Sequence, residues 1–68
     1  MYKKGTIITV TDEKLQMHNI KGAIVSYTDN TISFRLIANN YVGTNIYTTN
    51  INNCIISNKL YEGEYKFN

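Results

Sequence analysis

The stretch Ala23–Leu36, AIVSYTDNTISFRL, decides how this chain is read. Asp29-Asn30 sits between two β-prone arms. Both residue types tolerate the positive φ that a two-residue type I′ hairpin turn requires. Placing them at the centre sets a register: Thr28 opposite Thr31, Tyr27 opposite Ile32, Ser26 opposite Ser33, Val25 opposite Phe34, Ile24 opposite Arg35 and Ala23 opposite Leu36. Opposed residues share a face. One face then carries Ala23, Val25, Tyr27, Ile32, Phe34 and Leu36, the expected core. The other carries Ile24, Ser26, Thr28, Thr31, Ser33 and Arg35. A slip of one residue would mix the two sets, so the pattern favours this pairing.

The remaining chain extends the same theme. β-branched residues and tyrosines recur with period-two alternation between short polar breaks, the signature of an all-β fold. Thr6–Thr11 reads as a first strand. Asp12-Glu13-Lys14 reads as a polar turn, preferred over a helical turn across Thr11–Met17 because no apolar helix face forms. Leu15 to Thr28 reads as one long strand, bent near Gly22, since glycine inside a strand often marks a bulge or bend. Ala38–Asn45 is expected as a loop and Ile46–Thr49 as a fourth strand. Asn50–Asn53 is a tight link, with room for a single 3₁₀ turn, before a short fifth strand at Cys54–Ser57. After a turn at Asn58-Lys59, the alternation Tyr61, Gly63, Tyr65, Phe67 suggests a sixth strand or an edge extension.

The chain has 68 residues, so one domain (1–68) is expected. A domain this small buries only about 60% of its unfolded surface and is marginal without further support. The single cysteine, Cys54, excludes an intrachain disulfide. One Cys and one His, His18, fall short of a zinc ligand set, so no metal or cofactor is expected. Regular packing, barrel closure or self-association must supply the support. No apolar run approaches the roughly 20 residues of a membrane span. With no signal-type segment visible, a cytoplasmic location with a free thiol is expected. Abundant Asn, Ile, Lys, Thr and Tyr fit a low-GC genome, and a short chain of this kind suits a phage or mobile element.

The candidate chemistry is sparse. His18 and Cys54 lack an elbow turn or a third orienting residue, so a nucleophile–base pair is not indicated. Glu62 and Glu64 share a strand face beside Lys66 and read as a solvated edge. The glycines are isolated, and no phosphate loop is present. No catalytic residue is assigned, and an enzyme is not expected. The net charge of +2 comes from scattered lysines, without the stripe that phosphate tracking needs. Six tyrosines and a single arginine remain. Tyrosine and arginine are frequent interface anchors. Ile24, Arg35, Ile37, Tyr41 and Tyr47 are therefore the expected partner-binding residues. The first three would form a semi-apolar outward patch.

The segments Gly22–Tyr27, Asp29, Ile32–Phe34 and Ile46–Ile51 resemble the two motifs of the Sm-like family among the small SH3-like barrels. The resemblance spans roughly Gly5–Ser57. Thr31 and Thr48-Thr49 stand where that family carries its turn asparagine and Arg-Gly pair. It implies a five- to six-stranded SH3-like barrel with a strongly bent second strand. It also implies an oligomeric binder of nucleic acid or nucleotides, with Tyr41, Tyr47 and nearby lysines supplying stacking and charge. The residues by themselves favour a non-catalytic protein that binds a protein partner or itself, for instance as an inhibitor occluding a host factor.

Overall fold

The computed structural model describes residues 2–38 and 41–62. Among these residues five antiparallel strands run in chain order: β1 (Thr6–Asp12), β2 (Met17–Tyr27), β3 (Thr31–Ala38), β4 (Tyr41–Asn50) and β5 (Cys54–Leu60). A 3₁₀ turn at Glu13–Leu15 joins β1 to β2, and another at Ile51–Asn53 joins β4 to β5. The sheet order is β4-β3-β2-β1-β5, so the last two strands lie at opposite edges.

That order sets a geometric demand. In a flat sheet the outer strands of five would stand about 19 Å apart. The three-residue turn at Ile51–Asn53 spans only about 6 Å. The sheet must therefore curl until the two edges approach at that end. Among the described residues no ladder joins β4 to β5, so the sheet curls without closing.

Register shifts occur in all four strand pairings. Shifts of this kind bend a strand and increase its twist. The decisive one lies in the central hairpin. Tyr27 pairs with Ile32 and Ser26 with Ser33, as the sequence implies. Then Val25 is bulged out, and Ile24 pairs with Phe34, Ala23 with Arg35 and Gly22 with Leu36. The slip exchanges Val25 for Ile24 on the core face. Ile24 is 1% exposed and belongs to the core, not to the outward patch expected for it.

The turn explains the slip. Gln16 and Asn19 are the non-glycine residues with positive φ among the described residues, so Asp29-Asn30 does not form a type I′ turn. Instead the Thr28 hydroxyl accepts from the backbone N–H of Asn30 at 3.3 Å and of Thr31 at 3.1 Å. The Thr28 N–H donates to the Thr31 carbonyl at 2.9 Å. A local side-chain acceptor thus replaces the primed turn. Unprimed turns match strand twist poorly, and the bulge at Val25 supplies the added twist.

The core cluster is Ile8, Val10, Met17, Ile24, Ile32 and Phe34, with Tyr2, Leu15, Ile20, Leu36, Tyr47, Ile51, Cys54 and Ile56 packed against it. Phe34 is its largest fully buried side chain. Its ring lies close against Gly22, where an added Cβ would meet Phe34 Cδ2 at 2.7 Å. Gly22 is therefore the place where an aromatic ring approaches backbone, while the bulge falls at Val25.

Other boundaries move for related reasons. Asp12 caps a 3₁₀ turn where a polar turn was expected. β4 begins at Tyr41, within the expected loop, because Val42 and Tyr41 pair with Ile37 and Ala38. Gly43 does not break it; an added Cβ there would meet only the Leu36 carbonyl, at 3.8 Å. β5 continues through Asn58-Lys59, which form a bulge instead of a turn. There the Ser57 hydroxyl donates to the Ile7 carbonyl at 2.7 Å. Tyr61 and Glu62 are not in a strand. The rest of the expected sixth strand lies outside the described residues.

Phe34→Ala should cost about 3–5 kcal/mol, enough to unfold most of a domain this small at room temperature. Gly22→Ala should destabilise by about 1–3 kcal/mol through overpacking against Phe34. Thermal or urea melts of the two variants would check both.

Candidate functional site

Two regions stand out: a polar hub where the sheet edges approach, and the face opposite the core. The hub centres on the half-buried Asp12. One carboxylate oxygen accepts from the N–H groups of Lys14 at 2.8 Å and Leu15 at 3.3 Å, capping the 3₁₀ turn. The other accepts from the Thr49 hydroxyl at 2.5 Å and Asn53 Nδ2 at 3.4 Å. Asn53 Nδ2 also donates to Thr49 Oγ1 at 3.1 Å. Thr49 itself is buried. One side chain thus ties the end of β1 to β4 and to the turn leading into β5. The Ile51 N–H adds a 2.8 Å bond to the Asn30 carbonyl of the central hairpin. Beside the hub lies an open hollow of about 620 Å³, lined by Thr11–Lys14, Thr31, Thr48–Asn50 and Asn53.

The Thr49 hydrogen bond holds the Asp12 carboxyl below its ordinary value of 3.8. Partial burial opposes this, and the Leu15, Lys14 and Asn53 donors reinforce it. Burial, and then the nearby Asp12 charge, push the Cys54 thiol above its ordinary value. That disfavours the thiolate a nucleophile needs. His18 is exposed, with Nε2 3.4 Å from Asn19 Nδ2. No structural feature brings it to Cys54. Among the described residues no cluster of His, Cys, Asp or Glu could hold a metal ion. No helix among them is long and apolar enough to cross a membrane.

The face opposite the core is defined by register. Phe34 and Tyr47 pair on the core side, with rings 6.0 Å apart. Their neighbours Arg35 and Ile46 pair on the other side. The row runs Ile46–Arg35–Ala23–Ile7 across β4, β3, β2 and β1. The adjoining row is Lys21–Thr9–Ile55, with Lys21 Nζ donating to Thr9 Oγ1 at 2.6 Å. Arg35 Nη1 donates to the Thr44 carbonyl at 3.2 Å, holding the guanidinium over the start of β4. Ile46 is 53% exposed and Ile55 73%.

Of the expected binding residues, Arg35 lies on this outer face, and Ile24 is lost to the core. Ile37 is half-buried and lines a separate hollow with Ile7 and Leu60. Tyr41 is 78% exposed at the start of β4. Tyr47 is half-buried against the core, its ring 6.0 Å from that of Phe34. Ile46 and Ile55 were missed because each sits in an alternation whose phase only the observed register fixes. The fold and its surfaces define a small antiparallel all-β module. Comparison with family models, with curated proteins and with solved structures finds no match for this chain.

Asp12 stabilises the fold through its ionised form. Its folded-state value lies below 3.8, so the contribution is complete above that pH and is lost as the pH falls through the folded value. Asp12→Ala should lower the melting temperature at pH 7 and flatten the loss of stability below pH 4. Melting curves from pH 7 to about 2 would check this against wild type.

Proposed function

We propose that this chain is a non-catalytic binding module that captures a protein partner through the outer face of β3 and β4. The observation that carries the reading is the Arg35–Ile46 pair. It joins an arginine braced by the Thr44 carbonyl to an isoleucine left more than half exposed. Such a pair has the composition of an interface anchor. A braced side chain loses little further freedom on binding. Ile55 extends the apolar character to the far edge, and Tyr41 adds a large exposed ring on β4. A partner covered by this face would be occluded, the mode of action of an inhibitor.

The finer fold reading belongs to the same proposal. Five strands, a long bulged β2, a tight β2–β3 hairpin and a three-residue β4–β5 link support a small SH3-like barrel that is open along one seam. Among the described residues no strand pairs with the outer edges of β4 and β5, and such edges suit strand addition.

Co-precipitation with wild type, Arg35→Glu and Ile46→Asp, read by quantitative mass spectrometry, tests the function. Both substitutions are on the non-core face and should leave the melting curve nearly unchanged. Both should deplete the same captured proteins by about tenfold or more, as expected when a hot-spot residue worth at least 1.4 kcal/mol is removed. An identical set captured by all three proteins would rule the surface out.

A further inference from the structure

The outer face carries a charge pattern that bears on the chemistry of its partner. Lys21 lies two residues from Ala23 on β2, on the same side of the sheet. It is therefore the diagonal neighbour of Arg35, with backbones about 7–8 Å apart. Lys21 is exposed, and its Nζ is held by Thr9 Oγ1 at 2.6 Å. Arg35 Nη1 is held by the Thr44 carbonyl at 3.2 Å. Both cations are thus positioned in advance, which lowers the ordering cost of binding. Ile46 pairs with Arg35 and Ile55 with Thr9, and both isoleucines are more than half exposed. Across the strands the order is isoleucine, cation, cation, isoleucine: Ile46, Arg35, Lys21, Ile55.

None of the residues in these rows is acidic. Among the described residues the carboxylates lie elsewhere. Asp12 is in the polar hub, Glu13 in the first 3₁₀ turn and Asp29 at the tip of the central hairpin. Glu62 lines the separate hollow of Ile7 and Ile37. The next row of the face is made of hydroxyls, with Ser33 and Thr48 oxygens 2.8 Å apart.

We infer, on the reading of this face as a docking surface, that the partner presents an acidic segment: two carboxylates flanked by apolar side chains, laid across the strands from Ile46 to Ile55. The carboxylates meet Arg35 and Lys21, and the apolar ends pack on the two isoleucines. Charge complementarity sets the sign of the partner. Four interstrand steps, about 19 Å in a flat sheet, separate the isoleucines, a span that about six extended residues cover. Two other occupants fit less well. The stripe is symmetric about its centre, so a second copy docked on a two-fold axis would set cations against cations. Single-stranded nucleic acid draws on aromatic platforms, and the Phe34 and Tyr47 rings lie on the opposite side of these strands.

The test is selection of displayed random peptides of about twelve residues, twice the required span, on wild type, Ile46→Asp and Lys21→Glu. Enriched peptides are then measured by fluorescence anisotropy. Wild type should enrich paired Asp or Glu flanked by Leu, Ile or Phe. Ile46→Asp and Lys21→Glu should each weaken these peptides about tenfold. Lys21→Gln should weaken them about 1.5- to 5-fold, the range of one exposed ion pair. Both positions are exposed, and melting curves matching wild type exclude a folding effect. Neutral apolar peptides lost on Ile46→Asp but not on Lys21→Glu overturn the acidic partner and leave the docking face standing. Absence of any enriched peptide sensitive to either change overturns both. Labelled oligo-thymidine that binds more tightly than the enriched peptides, or a wild-type dimer that Ile46→Asp dissolves, overturns the acidic segment as occupant.

Discussion

The shape of this molecule follows from one short connection. Three residues, Ile51–Asn53, must join strands that the pairing order places at opposite edges of a five-stranded sheet. A flat sheet cannot satisfy that link, so the strands curl, and curling an antiparallel sheet requires local departures from regular pairing. A register shift is present in every ladder. They are the means by which an otherwise ordinary meander meets its end condition. The concave side then collects Ile8, Val10, Ile24, Ile32 and Phe34, and Gly22 lets the largest of them lie directly on backbone.

A curled sheet of this size has little apolar area with which to hold its curvature. The Asp12 hub works at that point. It joins the end of β1, the buried hydroxyl of β4 and the turn into β5, spanning the very connection that imposes the curl. The carboxylate has four donors, from two backbone N–H groups and two side chains, so its partial removal from water is compensated. With one cysteine and no metal cluster among the described residues, this polar tie takes the place of the staple that small domains usually need.

Much of the architecture is legible in the sequence, and the failures have physical causes. Alternation and β-branched content give the all-β class, the five strands and the central hairpin with its Tyr27–Ile32 and Ser26–Ser33 pairs. Periodicity carries no sign of the bulge at Val25, because Val25 and Ile24 are equally suited to a core position. The Thr28 side chain, not the Asp-Asn dipeptide, decides the turn, and with it the twist that the bulge corrects. Gly43 and Asn58-Lys59 read as breakers by composition, yet both fall at register shifts inside strands whose pairing resumes on either side. The binding residues suffered most. A one-residue slip sends Ile24 inward and leaves Arg35 outward, now beside Ile46 instead of Ile24.

The tyrosines show why composition alone misleads about function here. Tyr47 serves the core beside Phe34, and Tyr27 braces Tyr2 at the opening of β1. Tyr41 is left as a large ring in solvent at the start of β4. One residue type thus supplies packing, ring orientation and exposed contact area within a single small sheet. What separates these roles is position relative to the curl. Rings on the concave side are consumed by the core, whereas rings at strand ends, where the curl leaves hollows between segments, keep a face or an edge toward solvent.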